Sequence, residues 1–176
     1  MQFIEYKNST HKKELKKLYH DSFPREERAP FLLHWRATKR PGGHLWEIQD
    51  GGAFAGLMAA HVEEDMVLIQ YLAIDPARRG EGVGSKALQH LQELYPNSRI
   101  CLNMEPLDPA APNYEERRRR TRFYEKNGFT SMGYTINEFH NDYEMLSNHT
   151  EVSYEEFKTL NNHYFGKLWY TIISHI

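Results

Sequence analysis

One stretch of the chain decides how it folds; it reads Tyr71-Leu72-Ala73-Ile74-Asp75-Pro76-Ala77-Arg78-Arg79-Gly80-Glu81-Gly82-Val83-Gly84-Ser85-Lys86. An apolar run ends at Ile74, Asp75-Pro76 breaks it, and three alternating glycines precede a segment with helical periodicity. Because glycine has no Cβ, the backbone here can turn tightly and approach a ligand closely. The free N–H groups at a helix start favour an anion, so the stretch predicts a strand–loop–helix unit with a phosphate site.

Two common nucleotide-binding motifs do not fit this loop. Its spacing is Gly-x-Gly-x-Gly, whereas the dinucleotide-binding fingerprint requires Gly-x-Gly-x-x-Gly. The ATP-binding loop requires Gly-Lys-Ser/Thr, but Gly84-Ser85-Lys86 has the opposite order. A glycine-rich turn that binds nothing is the remaining alternative, although three glycines and two arginines exceed what a turn needs.

The loop and its surroundings resemble the GNAT acetyltransferase superfamily. Arg79-Gly80-Glu81-Gly82-Val83-Gly84 matches the Arg/Gln-x-x-Gly-x-Gly/Ala motif of that family, and Leu72-Ala73-Ile74-Asp75-Pro76 is similar to the strand before it. Downstream, Phe123-Tyr124-Glu125-Lys126-Asn127-Gly128-Phe129 resembles the second family signature, a helix that ends in Tyr-Glu-Lys-x-Gly-Phe. The resemblance covers most of the chain, from Phe3 to Leu146.

The resemblance implies a mixed α+β fold, with a splayed mixed sheet of about six to seven strands and helices on both faces. It also implies that acetyl-CoA binds in the gap between two parallel strands and that its acetyl group is transferred to a primary amine of a small molecule or peptide by direct attack. The residues that it assigns to the cofactor are Leu72, Ala73 and Ile74 for pantetheine, and Arg79, Gly80, Gly82, Val83, Gly84 and Ser85 for the pyrophosphate.

The family pattern also suggests catalytic residues. The tyrosine of the second signature, Tyr124, is implied as the acid that protonates the leaving sulfur. Some family members place a glutamate on the strand before the loop, but the matching residue here is Leu68. Glu105, after the next strand, is the nearest carboxylate and our candidate base, with a solvated loop residue as the alternative. Two alternatives to Glu105 remain: a base that acts through ordered water, or a substrate amine that arrives already neutral.

The helix that carries Tyr124 is rich in arginine. Arg117 and Arg120 stand where many family members have Asn and Ala, and at about 100° per residue both lie within roughly 40° of Tyr124 around the helix. Their guanidinium groups are predicted to hold a CoA phosphate or a carboxylate of the acceptor, with a solvated charged face as the alternative. We interpret Arg118, Arg119 and Arg122 as residues of a solvated charged face.

The acceptor pocket is expected near Phe23-Pro24-Arg25-Glu26-Glu27-Arg28, where this fold usually places its acceptor site. Candidate residues that shape it are Glu26, Glu27, Trp35 and Tyr71.

The remaining pattern predicts one domain over residues 1–148 and a helical extension over 149–176. Asp50-Gly51-Gly52 between apolar runs predicts a hairpin, and Ser153-x-x-Glu156 is a capping box that opens the last helix. That helix is predicted to have one apolar stripe, which packs on its own domain or on a second subunit of a homodimer; the stripe consists of Phe157, Leu160, Tyr164, Leu168 and Ile172.

Composition excludes several classes of protein. The 176 residues include 22 basic and 24 acidic ones, and the net charge of −2 argues against a nucleic-acid-binding protein. No apolar run approaches the roughly 18 residues of a membrane span, and no signal peptide is recognisable, so we expect a cytoplasmic protein without a membrane partner. Ten histidines show no metal motif and the single Cys101 stands alone, so no metal site is expected. A non-catalytic acyl-CoA-binding or regulatory module is the alternative to an enzyme.

Overall fold

The computed structural model describes residues 1–25, 28–138, 141–148 and 151–173. Its seven strands are β1 (Gln2–Glu5), β2 (Gly43–Asp50), β3 (Ala53–Glu63), β4 (Met66–Ile74), β5 (Arg99–Met104), β6 (Thr130–Glu138) and β7 (Asn141–Ser147). Its six α-helices are α1 (Lys12–Ser22), α2 (Phe31–Ala37), α3 (Val83–Leu94), α4 (Tyr114–Lys126), α5 (Tyr154–Phe165) and α6 (Lys167–Ile173). None of the helices in these residues has the length and apolar character that crossing a membrane requires.

The strands form one mixed sheet in the order β1-β2-β3-β4-β5-β7-β6. All neighbours pair antiparallel except β4 and β5, which pair in parallel. The predicted hairpin joins β2 to β3, and both of its glycines have a left-handed φ, 62° at Gly51 and 81° at Gly52. The predicted mixed sheet of six to seven strands is thus confirmed.

Helices cover both faces of this sheet, as predicted. On one face α3 and the end of α4 contribute Leu88, Leu91 and Tyr124 to a core that also contains Ile69 and Leu102. On the other face α1, α2 and α5 form a second core, built largely from Leu15, Tyr19, Leu33, Leu57, Tyr164 and Phe165. The sheet is therefore buried on both sides at its centre.

A β-bulge on β4 keeps both faces of that strand apolar. Ala59 pairs with Tyr71 and Ala60 pairs with Ile69, so Gln70 is an extra residue without a partner position on β3. Before the bulge Ile69 faces the α3 side, and after it Leu72 does. One inserted residue shifts the period-2 alternation and so re-aims the last part of β4.

The last predicted helix is in fact two helices, and two of the five residues of its predicted apolar stripe are not buried. The capping box is confirmed: the Ser153 side chain accepts from the Glu156 N–H, and the Glu156 side chain accepts from the Ser153 N–H. However, α5 ends at Phe165, because Gly166 has φ 87° and leaves the helical conformation. The register changes there, so the predicted stripe residues of α6 are exposed, 73% for Leu168 and 38% for Ile172, whereas Tyr170 is buried.

Candidate active site

A cleft opens where β4 and β5 separate. The two strands pair only from Met66 with Arg99 to Ile69 with Leu102. Beyond that point β4 continues to Ile74 beside β3, and β5 continues to Met104 beside β7. The space between the diverging strands forms a cleft of about 980 Å³, which is large enough for a cofactor.

The glycine loop reaches this cleft from the end of β4. Gly80 and Gly82 both have a left-handed φ, 84° and 76°, which residues with a Cβ rarely adopt. Gly82 is the N-cap of α3, where no side-chain hydrogen bond caps the helix. The N–H groups of the first turn, which begins at Val83, are therefore suited by position and by the helix dipole to hold an anionic group.

Close packing of α3 against α4 also requires a glycine. A Cβ on Gly84 would lie 3.1 Å from the ring of Phe123, which is closer than side chains normally approach. Phe123 itself lines the cleft. The third glycine thus brings the loop and the Tyr124 helix to the same cavity.

Most of the predicted cofactor residues line this one cleft. They are Leu72, Ala73, Ile74, Arg79, Gly80, Gly82, Val83, Gly84, Ser85 and Arg120, and the predicted acid Tyr124 joins them. Arg117 and Glu105 are not among its lining residues.

Tyr124 combines burial with a position on the cleft. Its side chain is buried, and burial raises its pKa to about 12, while nearby Arg120 acts in the opposite direction. The hydroxyl group therefore keeps its proton at neutral pH. A group that protonates a departing thiolate must be in this form, so Tyr124 meets the chemical requirement of its predicted role.

Glu105 is held by two arginines. It is buried, its Oε1 lies 2.6 Å from Arg117 Nη2, and its Oε2 lies 3.0 Å from Arg120 Nη1. The alternative of a solvated loop residue is therefore wrong. Asn113 Nδ2 also lies 3.2 Å from Oε1 and 3.4 Å from Oε2, so each carboxylate oxygen has two donors. A proton taken from an amine would therefore compete with these contacts.

Arg117 has a different environment from the predicted one. Its Nε donates to Asn113 Oδ1 at 2.7 Å and its Nη1 donates to the Pro106 carbonyl at 3.0 Å, besides its contact with Glu105. These bonds fix the loop between β5 and α4 and leave the guanidinium outside the cleft. The hypothesis that Arg117 holds a CoA phosphate gains no support from this geometry.

Two arginines of the cleft differ from their predicted environments. Arg119, which we interpreted as part of a solvated face, lines the cleft together with Glu116. Arg79 Nε donates to the Ile74 carbonyl at 3.3 Å, so one backbone group assigned to pantetheine already has a partner within the chain. The angle between Arg119 and Tyr124 around α4 could not show that Arg119 lines the cleft. That depends on the orientation of α4 relative to β4 and β5.

The other end of the cleft contains part of the predicted acceptor region. Phe23, Pro24, Tyr71 and Asn103 line it, and the Tyr71 hydroxyl accepts a hydrogen bond from the Ala29 N–H at 3.1 Å. Trp35 does not line it and is 40% exposed. Glu26 and Glu27 lie outside the described residues.

Sequence reasoning missed a buried carboxylate behind this end of the cleft. Glu138, at the end of β6, accepts hydrogen bonds from Tyr170 Oη at 2.6 Å and from Asn103 Nδ2 at 3.2 Å. Burial raises the pKa of Glu138, and the two hydrogen bonds partly offset this. The three residues belong to distant parts of the chain, so no local pattern could have found them.

Comparison with known families gives one match. A family model described as an acetyltransferase (GNAT) domain matches residues 41–131. This range contains the glycine loop, both strands that border the cleft and the helix that carries Tyr124. A search of curated protein sequences found no match.

Solved structures share the fold. A protein from Bacteroides thetaiotaomicron assigned to the GNAT family superposes with a TM-score of 0.75 at 22% identity, over 94% of this chain and 97% of that one. An aminoglycoside 6′-N-acetyltransferase complexed with coenzyme A gives 0.62 at 15% identity, over 87% and 100%. Naa50 from Arabidopsis thaliana, in complex with the bisubstrate analogue CoA-Ac-MVNAL, gives 0.58 at 22% identity, over 81% and 94%.

Proposed function

Because the chain belongs to the GNAT acetyltransferase family, we propose that it transfers the acetyl group of acetyl-CoA to a primary amine. The cleft between β4 and β5 carries this proposal, since one cavity joins the glycine loop, the free end of β4 and Tyr124. In our proposal the glycine loop supplies an anion site, the free end of β4 supplies backbone groups for hydrogen bonding, and Tyr124 supplies a proton donor.

The cofactor is proposed to lie along the cleft, from the glycine loop to the point where β4 and β5 diverge. Its pyrophosphate would bind the N–H groups between Arg79 and Ser85, with the guanidinium of Arg120 adding positive charge. Its pantetheine amides would pair with β4 from Leu72 to Ile74, as an added strand does. The Ile74 carbonyl already accepts from Arg79 Nε, so a cofactor amide would use its second lone pair or replace this contact.

The proposed reaction is direct aminolysis of the thioester. The amine nitrogen attacks the acetyl carbonyl carbon and forms a C–N bond, and the C–S bond breaks with its electron pair on sulfur. The amine loses one proton to a base, and Tyr124 donates its hydroxyl proton to the sulfur, giving an amide and free CoA thiol. Tyr124 then regains a proton from solvent.

The contacts of Glu105 disfavour it as a direct base, because its two oxygens are paired with Arg117 and Arg120. A water molecule that carries the proton to Glu105, or an amine that binds neutral, leaves these ion pairs in place. Either route fits the contacts better than direct proton transfer to Glu105.

The acceptor is proposed to be an amine of a small molecule or a peptide that enters beside Phe23, Tyr71 and Asn103. Both classes occur among the structural neighbours, as an aminoglycoside acetyltransferase and as a complex with a peptide-containing bisubstrate analogue. The aromatic and amide groups at this end of the cleft suit an acceptor with both apolar and polar parts.

A second candidate function is a non-catalytic acyl-CoA-binding or regulatory module. Two observations favour it. Leu68 stands where some family members have a glutamate, and both oxygens of Glu105 are paired with arginines. The protonated, cleft-lining Tyr124 favours the enzyme.

The test combines calorimetry with acetyl-CoA and a thiol-release assay over polyamines, aminoglycosides, amino acids and peptides. Tyr124→Phe is expected to lower turnover at least about tenfold with little change in acetyl-CoA affinity. Tyr114→Phe, at the other end of the same helix and outside the cleft lining, is the matched control and should keep full activity.

Each outcome distinguishes the candidates. Unchanged turnover in Tyr124→Phe removes this residue from the mechanism. Binding of acetyl-CoA without transfer to any acceptor supports the non-catalytic module, and absence of binding at micromolar concentrations contradicts both.

A further inference from the structure

Three potential metal ligands meet at the turn between β3 and β4, away from the cleft. His61 and Glu63 are two residues apart on β3 and therefore lie on the same face of the sheet. His163 of α5 packs over them, with Nδ1 at 2.7 Å from Glu63 Oε2, while His61 Nε2 lies 2.9 Å from the same oxygen. One donor atom from each residue lies within 4.8 Å of the other two.

We propose that His61, Glu63 and His163 bind a zinc ion, with water as the fourth ligand. Two imidazoles and one carboxylate form a donor set typical of four-coordinate Zn²⁺, whereas Mg²⁺ and Ca²⁺ prefer oxygen ligands alone. The bound ion would tie α5 to the β3–β4 turn, because His163 comes from the C-terminal segment and the other two ligands from the sheet.

The imidazole nitrogens of His61 and His163 both lie within hydrogen-bond distance of Glu63 Oε2. Zinc would therefore compete with these hydrogen bonds for its ligand atoms.

Zinc binding would require the ligand atoms to shift. Ligand atoms that surround Zn²⁺ tetrahedrally at about 2.0–2.1 Å lie roughly 3.3 Å from one another. The two nitrogen–Glu63 distances, 2.9 and 2.7 Å, are slightly shorter than this, and the two nitrogens lie within 4.8 Å of each other. The His61 side chain is 2% exposed and fixed, but those of Glu63 and His163 are 33% and 52% exposed and can move outward. Their exposure also gives the ion and its water a path from solvent.

The environment of His61 sets the expected affinity. Its Nδ1 atom is buried and has no hydrogen-bond partner in the part of the chain that the structure describes. A ligating histidine usually donates its second N–H to an acceptor, and loss of such a partner weakens metal affinity about 10- to 100-fold. We therefore expect zinc to bind more weakly here than at a site whose ligating histidines all have such partners.

The proposed site, if occupied, would overturn the expectation of no metal site, which rested on spacing along the sequence. His61 and Glu63 are close in sequence, but His163 lies 100 residues after Glu63. A search for ligands on one helix or in one short motif cannot find such a cluster.

The test is calorimetric titration of the full-length, tag-free and chelator-treated protein with ZnCl₂. One zinc ion per chain and a higher unfolding temperature are expected. His163→Ala and Glu63→Gln should weaken binding at least about tenfold, whereas His163→Cys, which keeps a zinc ligand, should retain it. His90→Ala is the matched control, since His90 Nδ1 lies 3.9 Å from Glu93 in a pair without a second histidine, and it should change nothing.

Two results would overturn the proposal. One is absence of zinc binding by the wild-type protein at zinc concentrations up to about 1 mM. The other is unchanged binding in both His163→Ala and Glu63→Gln. Circular dichroism checks that the variants fold, and the visible absorption of bound Co²⁺ gives an independent reading of four-coordinate geometry.

Discussion

Replacing Gly82 with alanine tests whether the backbone of the glycine loop touches the cofactor. At Gly82 φ is 76°, and a Cβ there would meet no atom within 4 Å. Gly128, which follows α4, has φ 85° and the same free space, but it does not line the cleft. An alanine in the left-handed region costs about 1–2 kcal/mol, so both variants should lose about 2–8 °C in unfolding temperature.

Cofactor binding separates the two variants. A methyl group on Gly82 would stand where the pyrophosphate is proposed to lie, and one lost hydrogen bond to a charged oxygen costs about 1.5–3 kcal/mol. Calorimetry should therefore show acetyl-CoA binding weakened roughly 10- to 100-fold in Gly82→Ala and changed less than about twofold in Gly128→Ala. Equal affinities in two equally destabilised variants would refute the placement of the pyrophosphate on this loop.

Two further predictions concern ion pairs. Glu105→Gln leaves the guanidinium groups of Arg117 and Arg120 without their shared carboxylate and should lower the free energy of unfolding in urea by about 1–3 kcal/mol. The control Glu115→Gln, whose partner Arg118 is in an exposed pair, should lose less than about 1 kcal/mol, and equal losses would contradict the buried role. The Ser153 N–H and Arg99 lower the pKa of Glu156 to about 2 from its usual 4.5, so its carboxylate stabilises the fold above pH 4.5 and this contribution disappears as the pH falls toward 2. The difference in unfolding temperature between wild type and Glu156→Gln should therefore shrink over that range, and a constant difference would contradict the assignment.

Features set by neighbouring residues were predictable from the sequence. The Asp50-Gly51-Gly52 hairpin, the glycine loop and the Ser153 capping box each depend on a few adjacent residues and are present as predicted. The cleft could also be anticipated, because a resemblance in two motifs fixes which strands flank the loop.

Features set by packing between distant elements could not be predicted from the sequence. The bulge at Gln70 has no turn residue to mark it, and it is visible only in the pairing of β3 with β4. The apolar period of the last helix appeared to run through Gly166, but a positive φ there starts a new helix with a different buried face. The partners of Glu105 were likewise hidden, because charges at helical spacing do not show which carboxylate they meet.

The C-terminal segment contributes to both walls of the cleft. Gln70, the bulged residue of β4, lines the cleft and donates from Nε2 to Asn161 Oδ1 of α5 at 2.8 Å. On the opposite strand, Asn103 donates to Glu138, which in turn accepts from Tyr170 of α6. The predicted boundary after residue 148 stays a prediction about sequence organisation. However, this segment holds one side chain on each bordering strand, at the end of the cleft where we propose that the acceptor enters. We therefore expect acceptor selection to depend on residues beyond those of the glycine loop and the Tyr124 helix.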